Sequence, residues 1–316
     1  AGCALFATGH SLLELAVARA LIGLGVSACL MASFKAFGQW FGTARQASLN
    51  AAIMAAGGLG ALTASTPLSW AIPAFGWRGV FAALAVAGVA VAGAIFSTPE
   101  KPGGTQGESL GAQLRGLADV LASRAFWVYA PQSTVIVGGF MAFQGLWAVP
   151  WLMHFGGLPR EAAAHHLLLL STGMLGGFLA IAFGVGPLSK RGVSALRLLQ
   201  VGMGLGLLAT LLIVLGVGPA DPLWFAFGLV FSVGNLAYAL LQAHFAAGLA
   251  GRVNTALNLM VFVGAFIIQW GFGTSVDLLQ AAGHAPRDAY QITFAGLLAV
   301  QVVSWLGFLV GTRGAR

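Results

Sequence analysis

Phe231, Asn235, Tyr238 and Gln242 recur at i, i+4, i+7 and i+11 inside a long apolar stretch. On a regular helix this spacing gives one face with hydrogen-bonding groups at several depths. Hydrocarbon offers such groups no partner, so the face must turn toward protein or toward water. Two uses fit: contacts with a polar solute in a wet cavity, or hydrogen bonds to a neighbouring helix, which contribute only about 0.6 kcal/mol each on average in membranes. A second group is Gln132, Gln144 and Trp147, in a stretch where Pro131 and Pro150 can free backbone carbonyls or bend the helix. Trp147 can stack on a planar solute, or it can be a structural residue facing lipid. Arg19 is a cation in an apolar segment, which costs several kcal/mol unless it is paired or hydrated. Glu14 lies five residues earlier, and snorkelling is the alternative there as it is for Lys35.

No carboxylate lies deep in an apolar stretch: Asp277 is near the end of one, and Glu161, Asp221 and Asp288 fall in polar breaks. A proton-linked process needs a group that titrates as its exposure changes; that group would lie in helices outside this sequence, be His244, the coupling candidate here, or not exist. His165 and His166 are expected to be solvated or interfacial. Enzyme chemistry finds no footing. There is no His-Glu-x-x-His and no Gly-x-Ser-x-Gly, and the histidines lie mostly at segment ends. Cys3 and Cys29 lack partners at metal or disulfide spacing. No catalytic residue, metal or cofactor is therefore expected. Gly202-Met203-Gly204-Leu205-Gly206 imitates a dinucleotide fingerprint without the strand that should precede it. With Gly57, Gly58, Gly60, Gly173, Gly176 and Gly177 it reads as small-residue packing between helices.

The elements that must carry these residues are membrane helices. Of 316 residues, 59% are hydrophobic and 7% charged, against about a quarter charged in soluble domains, so water is not the main solvent. Apolar stretches long enough to cross about 30 Å of hydrocarbon are read at 15–37, 48–72, 77–97, 126–153, 163–187, 195–217, 222–247, 254–277 and 290–311. The strict alternation of a transmembrane barrel is absent. The fold expected is all-α and multi-pass, with nine full spans after a stub at Ala1–Gly9. The Pro- and Gly-rich stretch 98–125 divides 1–97, an incomplete helical bundle, from 126–316, a six-helix bundle.

The net charge of +7 is spread singly through the loops, which does not make a nucleic-acid face. It alternates instead. Arg45, then Lys101, Arg115 and Arg124, then Lys190, Arg191 and Arg197, then Arg252, then Arg313 and Arg316 occupy every second break. The positive-inside rule places the 98–125 linker and the C-terminus in the cytoplasm of a cell (inner) membrane protein. Trp77, Trp151, Trp224 and Tyr290 are expected at the opposite interface. The partners implied are the lipid bilayer and a small solute, with a proton or other coupling ion, and a monomer is expected.

The halves also repeat. Phe34-Lys35-Ala36-Phe37 corresponds to Gln242-Ala243-His244-Phe245, Leu49-Asn50 to Leu257-Asn258, and Trp77-Arg78-Gly79-Val80-Phe81 to Tyr290-Gln291-Ile292-Thr293-Phe294, at an offset of about 210 residues. Arg19-Ala20-Leu21-Ile22-Gly23-Leu24-Gly25 resembles the Arg-x-x-x-Gly-x-Gly motif that opens the fourth helix of major facilitator superfamily transporters. Gly76-Trp77-Arg78 resembles that family's entry to its sixth helix. Gly186-Pro187-Leu188-Ser189-Lys190-Arg191-Gly192 resembles its basic loop between helices eight and nine, without the usual acidic residue. The resemblance implies two six-helix bundles, most of helices one to three being absent here, and transport of a small solute by alternating access. A piece of that kind is expected not to transport alone. It also implies that spans 15–37, 126–153 and 222–247 line the cavity, making Arg19, Gln132, Gln144, Trp147, Asn235, Tyr238 and Gln242 the cavity candidates. Arg19 and Lys35, with few buried acids, favour an anionic or neutral polar solute. The competing readings are a transporter-like receptor that does not translocate and, behind it, an integral-membrane enzyme.

Overall fold

The computed structural model describes residues 1–27, 29, 32–33, 36, 40, 53, 56–60, 62–64, 66–98, 110–218 and 220–313. Lys35, Arg45, Asn50, Lys101, Arg316 and much of the stretch 37–55 lie outside the described residues. The chain divides into two compact units, Ala1–Gly107 and Glu108–Arg316. Seven helices among the described residues are long and apolar enough to span a membrane. They correspond to seven of the nine expected spans. The other two, 15–37 and 48–72, are described only in part.

In the first unit, α1 (Gly2–Thr8) packs on α2 (Leu12–Ser27) and α3 (Thr66–Phe96). Helix α2 starts with a capping box. Ser11 Oγ accepts from the Glu14 backbone N–H (3.2 Å), and the Glu14 carboxylate accepts from the backbone N–H groups of His10 (2.8 Å) and Ser11 (3.4 Å). Helix α3 is broken at Gly76, whose φ of 66° is open to glycine and strained for other residues. The helix that resumes at Trp77 packs on Phe6, whose ring centre is 5.6 Å from Trp77 and 4.2 Å from Phe81. Arg78 lies over the Trp77 ring at 4.1 Å and donates to the Gly9 carbonyl at 3.1 Å, closing the α1–α2 turn.

The second unit opens with α4 (Leu110–Ala122), a helix within the stretch read as linker. Six long helices follow: α5 (Arg124–His154), α6 (Arg160–Lys190), α7 (Ala195–Leu215), α8 (Ala220–Gln242), α9 (Ala250–Ala281) and α10 (Pro286–Gly311). With lipid outside, association of such helices depends on close van der Waals approach, and glycine supplies it. A methyl group on Gly228 of α8 would collide with the Leu170 carbonyl of α6, and one on Gly173 of α6 with the Phe225 carbonyl of α8. Gly138 of α5 and Gly264 of α9 do the same for that pair, against Val261 O and Thr134 O. The pseudo-fingerprint splits its glycines: Gly202 and Gly206 face Val233 and Phe231 of α8, while Gly204 faces Trp305 of α10.

The core is aromatic. Phe143 stacks on Phe294 at 4.1 Å, Phe140 on Phe231 at 4.6 Å, and Trp147 on Phe272 at 4.9 Å. Trp151, Trp224 and Tyr290, expected near the interface opposite the cytoplasm, lie close to the helix ends His154, Ala220 and Pro286 and are buried in this core by ring packing. The large apolar side chains left exposed include Val201, Leu205 and Leu208 of α7 and Val300, Val303 and Leu306 of α10. A water-soluble surface does not carry so much contiguous hydrocarbon.

Arg115, Arg124, Lys190, Arg191, Arg197, Arg252 and Arg313 gather at one end of this unit. Gln200 bonding to Thr312 (2.8 Å), Gly311 packing on Val128 and Gly116 packing on Arg252 bring those segments together. Glu161, Asp221, Asp277 and Asp288 lie at the other end, with Arg160 and Arg287. These are called below the basic and the acidic end.

Candidate functional site

Helix α8 is not one regular helix. Ser232–Asn235 is overwound into a 3-10 turn. The Ser232 hydroxyl donates back to the Leu229 carbonyl (2.7 Å), and Gly234 lets the backbone press on Val137 of α5, where a methyl group would sit 2.7 Å from Val137 Cγ2. At about three residues per turn the side chains rotate ahead of the 3.6-residue pattern. The single face expected from Phe231, Asn235, Tyr238 and Gln242 is therefore split. Phe231 is buried against Phe140, Asn235 is exposed, and Tyr238 and Gln242 are half-buried toward α9.

The α9 partners are Asn254 and Asn258. Tyr238 donates its hydroxyl to Asn258 Oδ1 at 3.0 Å, and Asn254 Nδ2 donates to Gln242 Oε1 at 3.1 Å. On antiparallel helices a step of one turn along each joins both pairs into a two-rung polar ladder near the basic end. Asn254 Oδ1 remains buried without a hydrogen bond. The ladder realises the helix-to-helix use of Tyr238 and Gln242. It leaves Asn235, whose side chain makes, among the described residues, one long hydrogen bond to the Ser232 carbonyl (3.4 Å), with its amide turned outward. Asn254 and Asn258 were missed as site residues, although their own i, i+4 spacing at the start of α9 carries the same signal.

Helix α5 contains two wide π-turns, Ser133–Val137 directly after Pro131 and Phe143–Trp147 just before Pro150. Such turns leave carbonyls less tightly bonded and often mark functional sites. Gln132 precedes the first. It is fully buried, donates to Ser133 Oγ at 2.9 Å, and among the described residues has no partner for Oε1. Gln144 and Trp147 belong to the second. Gln144 is half-buried, and Trp147 donates to the Gln269 carbonyl of α9 at 3.0 Å while stacking on Phe272. Trp147, half-buried, thus packs between α5 and α9.

Arg19 belongs to the first unit. It is exposed, with its guanidinium carbon 5.9 Å from the Phe6 ring centre, and the nearby Glu14 is occupied by the helix cap. His244 is exposed just beyond α8 at the basic end, its Nδ1 within 2.9 Å of the Leu240 carbonyl and its ring 5.7 Å from that of Tyr129. His166 departs from expectation: it is buried, not solvated. Among the described residues no group of His, Cys, Asp and Glu is arranged to hold a metal ion.

Among the described residues this arrangement offers amides and a phenol hydroxyl, groups that can hydrogen-bond a polar solute. The model of the Major Facilitator Superfamily matches residues 1–269. Two solved structures of a bacterial homologue of the human lysosomal transporter Spinster are similar. The inward-facing unoccupied form superposes with a TM-score of 0.67 at 15% identity, covering 99% of this chain and 80% of that one. The inward-facing occupied form gives 0.61 at 16% identity, covering 99% and 79%. At such identities the likeness concerns the fold. None of the curated proteins is similar enough in sequence to count as a match.

Proposed function

Since the chain belongs to the major facilitator superfamily, and so is a multi-pass membrane transporter of small molecules and not an enzyme, we propose that its solute is polar, neutral or anionic, and that it is held against α8 at Asn235. One observation carries the reading. The overwound turn exposes the Asn235 amide while Tyr238 and Gln242 are tied to α9, so an apolar helix presents a hydrogen-bonding group that no neighbouring side chain among the described residues uses. Exposing an amide to hydrocarbon is costly, and a wet cavity removes that cost. Gln144 is proposed as a cavity residue of the second unit, Arg19 as one of the first, and His244 as the coupling group, as the family resemblance of their spans implies. The division into 1–97, a linker at 98–125 and 126–316 is part of the same proposal, since alternating access works with two helical bundles. The basic end, and the C-terminus with it, faces the cytoplasm, as the charge asymmetry between the two ends supports.

Counterflow tests this. The full-length protein in liposomes preloaded with unlabelled solute is expected to accumulate a labelled neutral or anionic polar solute from a panel graded by charge. Accumulation of cationic solutes only would contradict the solute class. Saturable binding without accumulation would instead establish the receptor reading.

A further inference from the structure

His166 stands two turns into α6 at the acidic end, and Asp221 in the first turn of α8, which runs parallel to it. The His166 ring is buried. Its Nδ1 lies 2.8 Å from the Ala162 carbonyl, and since a carbonyl only accepts, Nδ1 carries the hydrogen. Nε2 is buried, has no aligned hydrogen-bond partner, and lies 3.2 Å from Asp221 Oδ1. The protonation state of Nε2 then decides the sign of this contact. In the neutral ring Nε2 is a bare acceptor set against a carboxylate, which is repulsive. In the imidazolium it is a charged donor, and a small rotation of the exposed Asp221 side chain gives a charge-assisted hydrogen bond.

The other groups here do not take over that role. His165, next on α6, is exposed and 3.8 Å from the second carboxylate oxygen. Arg160 and Glu161 occupy the exposed first turn of α6. Of the elements packed on α6, α8 brings Asp221 and the Trp224 ring, 6.1 Å from that of His166. The end of α5 brings His154, whose ring stacks on Tyr290 of α10 at 5.0 Å.

We propose that His166 and Asp221 form a proton-binding clasp: a proton taken up on His166 Nε2 ties the first turn of α8 to α6 at the acidic end, and its loss frees that turn. The close approaches of Gly173 to Phe225 and of Gly228 to Leu170, deeper in the same seam, stay closed in both states, so the opening is confined to the end. If the transport reading holds, the clasp regulates access at the acidic end by the pH on that side. The clasp itself depends only on this helix pair.

The test is a distance measurement on full-length protein with Cys3→Ser and Cys29→Ser, spin-labelled at Arg160→Cys and Ala220→Cys. One short-distance population is expected at about pH 5, and a second, longer one at about pH 8. His166→Gln and Asp221→Asn should each abolish the pH response, while His165→Gln keeps it. Histidine nitrogen NMR of the protein with His166 and Asp221 intact should show a ring protonated on both nitrogens that disappears as the longer population grows, a readout that survives even if a variant folds poorly. A distribution indifferent to pH, a response that persists in both variants, or its loss in His165→Gln alone would overturn the clasp. Uptake is measured alongside: a distance switch without uptake of any solute counts against the transport reading and leaves the clasp standing.

Discussion

Gly228→Leu is expected to unfold the second unit, or to leave it as a loosened bundle that elutes heterogeneously from detergent. The reason is what the new side chain meets. Its first carbon would collide with the Leu170 carbonyl oxygen and lie 3.0 Å from the Met174 nitrogen, backbone atoms of α6 that no rotamer change can move aside. Overpacking usually costs about 1–3 kcal/mol where side chains can shift. Here α6 and α8 must separate along their whole seam, so the cost is expected to exceed about 3 kcal/mol. Gly173→Leu should match it, because its first carbon meets the Phe225 carbonyl. Gly296→Ala on α10 is the control. Apart from its chain neighbours and its own helix backbone, nothing among the described residues lies within 4 Å of its added carbon, and removing a helical glycine should raise stability by up to about 1 kcal/mol. Thermal unfolding of the purified protein, followed by fluorescence, separates the three.

The second large effect is on transport. Asn235→Leu is expected to lower uptake about tenfold or more with little change in unfolding temperature. Its amide makes one long intrahelical contact and faces outward, so the fold loses almost nothing when it goes. A solute that loses one well-placed hydrogen bond in a desolvated site loses about 1.4 kcal/mol, a factor of ten. Tyr238→Phe should behave differently. It leaves Asn258 Oδ1 without its phenol donor, so part of its effect should appear as reduced stability, of the order of the 0.6 kcal/mol average for such bonds. Initial uptake rates set against unfolding temperatures for the two variants show whether Asn235 acts on the solute or on the bundle.

The long apolar runs were legible because hydrocarbon tolerates little else, and each long helix of the second unit falls on a span read from the sequence. The break at Gly76 was legible too, through the motif that begins there. The glycine seams were seen as a class, but which helix each glycine meets depends on tertiary register, which no single stretch encodes. The site was half legible. Asn235, Tyr238 and Gln242 stood out as polar residues in an apolar helix. Their common face did not survive, because the 3-10 turn comes from the Ser232 hydroxyl and the approach of Val137, a local bond and a distant contact that a fixed 3.6-residue period ignores. Asn254 and Asn258 carried the right spacing but began a helix assigned no cavity role. His166 was misjudged because its burial comes from α8, more than fifty residues further along the chain.

The central claim is that the Asn235 face of α8 borders a watery path and not lipid. With Cys3→Ser and Cys29→Ser in the full-length protein, Asn235→Cys can be exposed to a membrane-impermeant maleimide from each side of sealed vesicles in turn. Reaction is predicted from at least one side, at a rate that changes when transported solute is added. A cysteine there that reacts only with a lipid-soluble reagent, and never with the impermeant one from either side, would contradict the account.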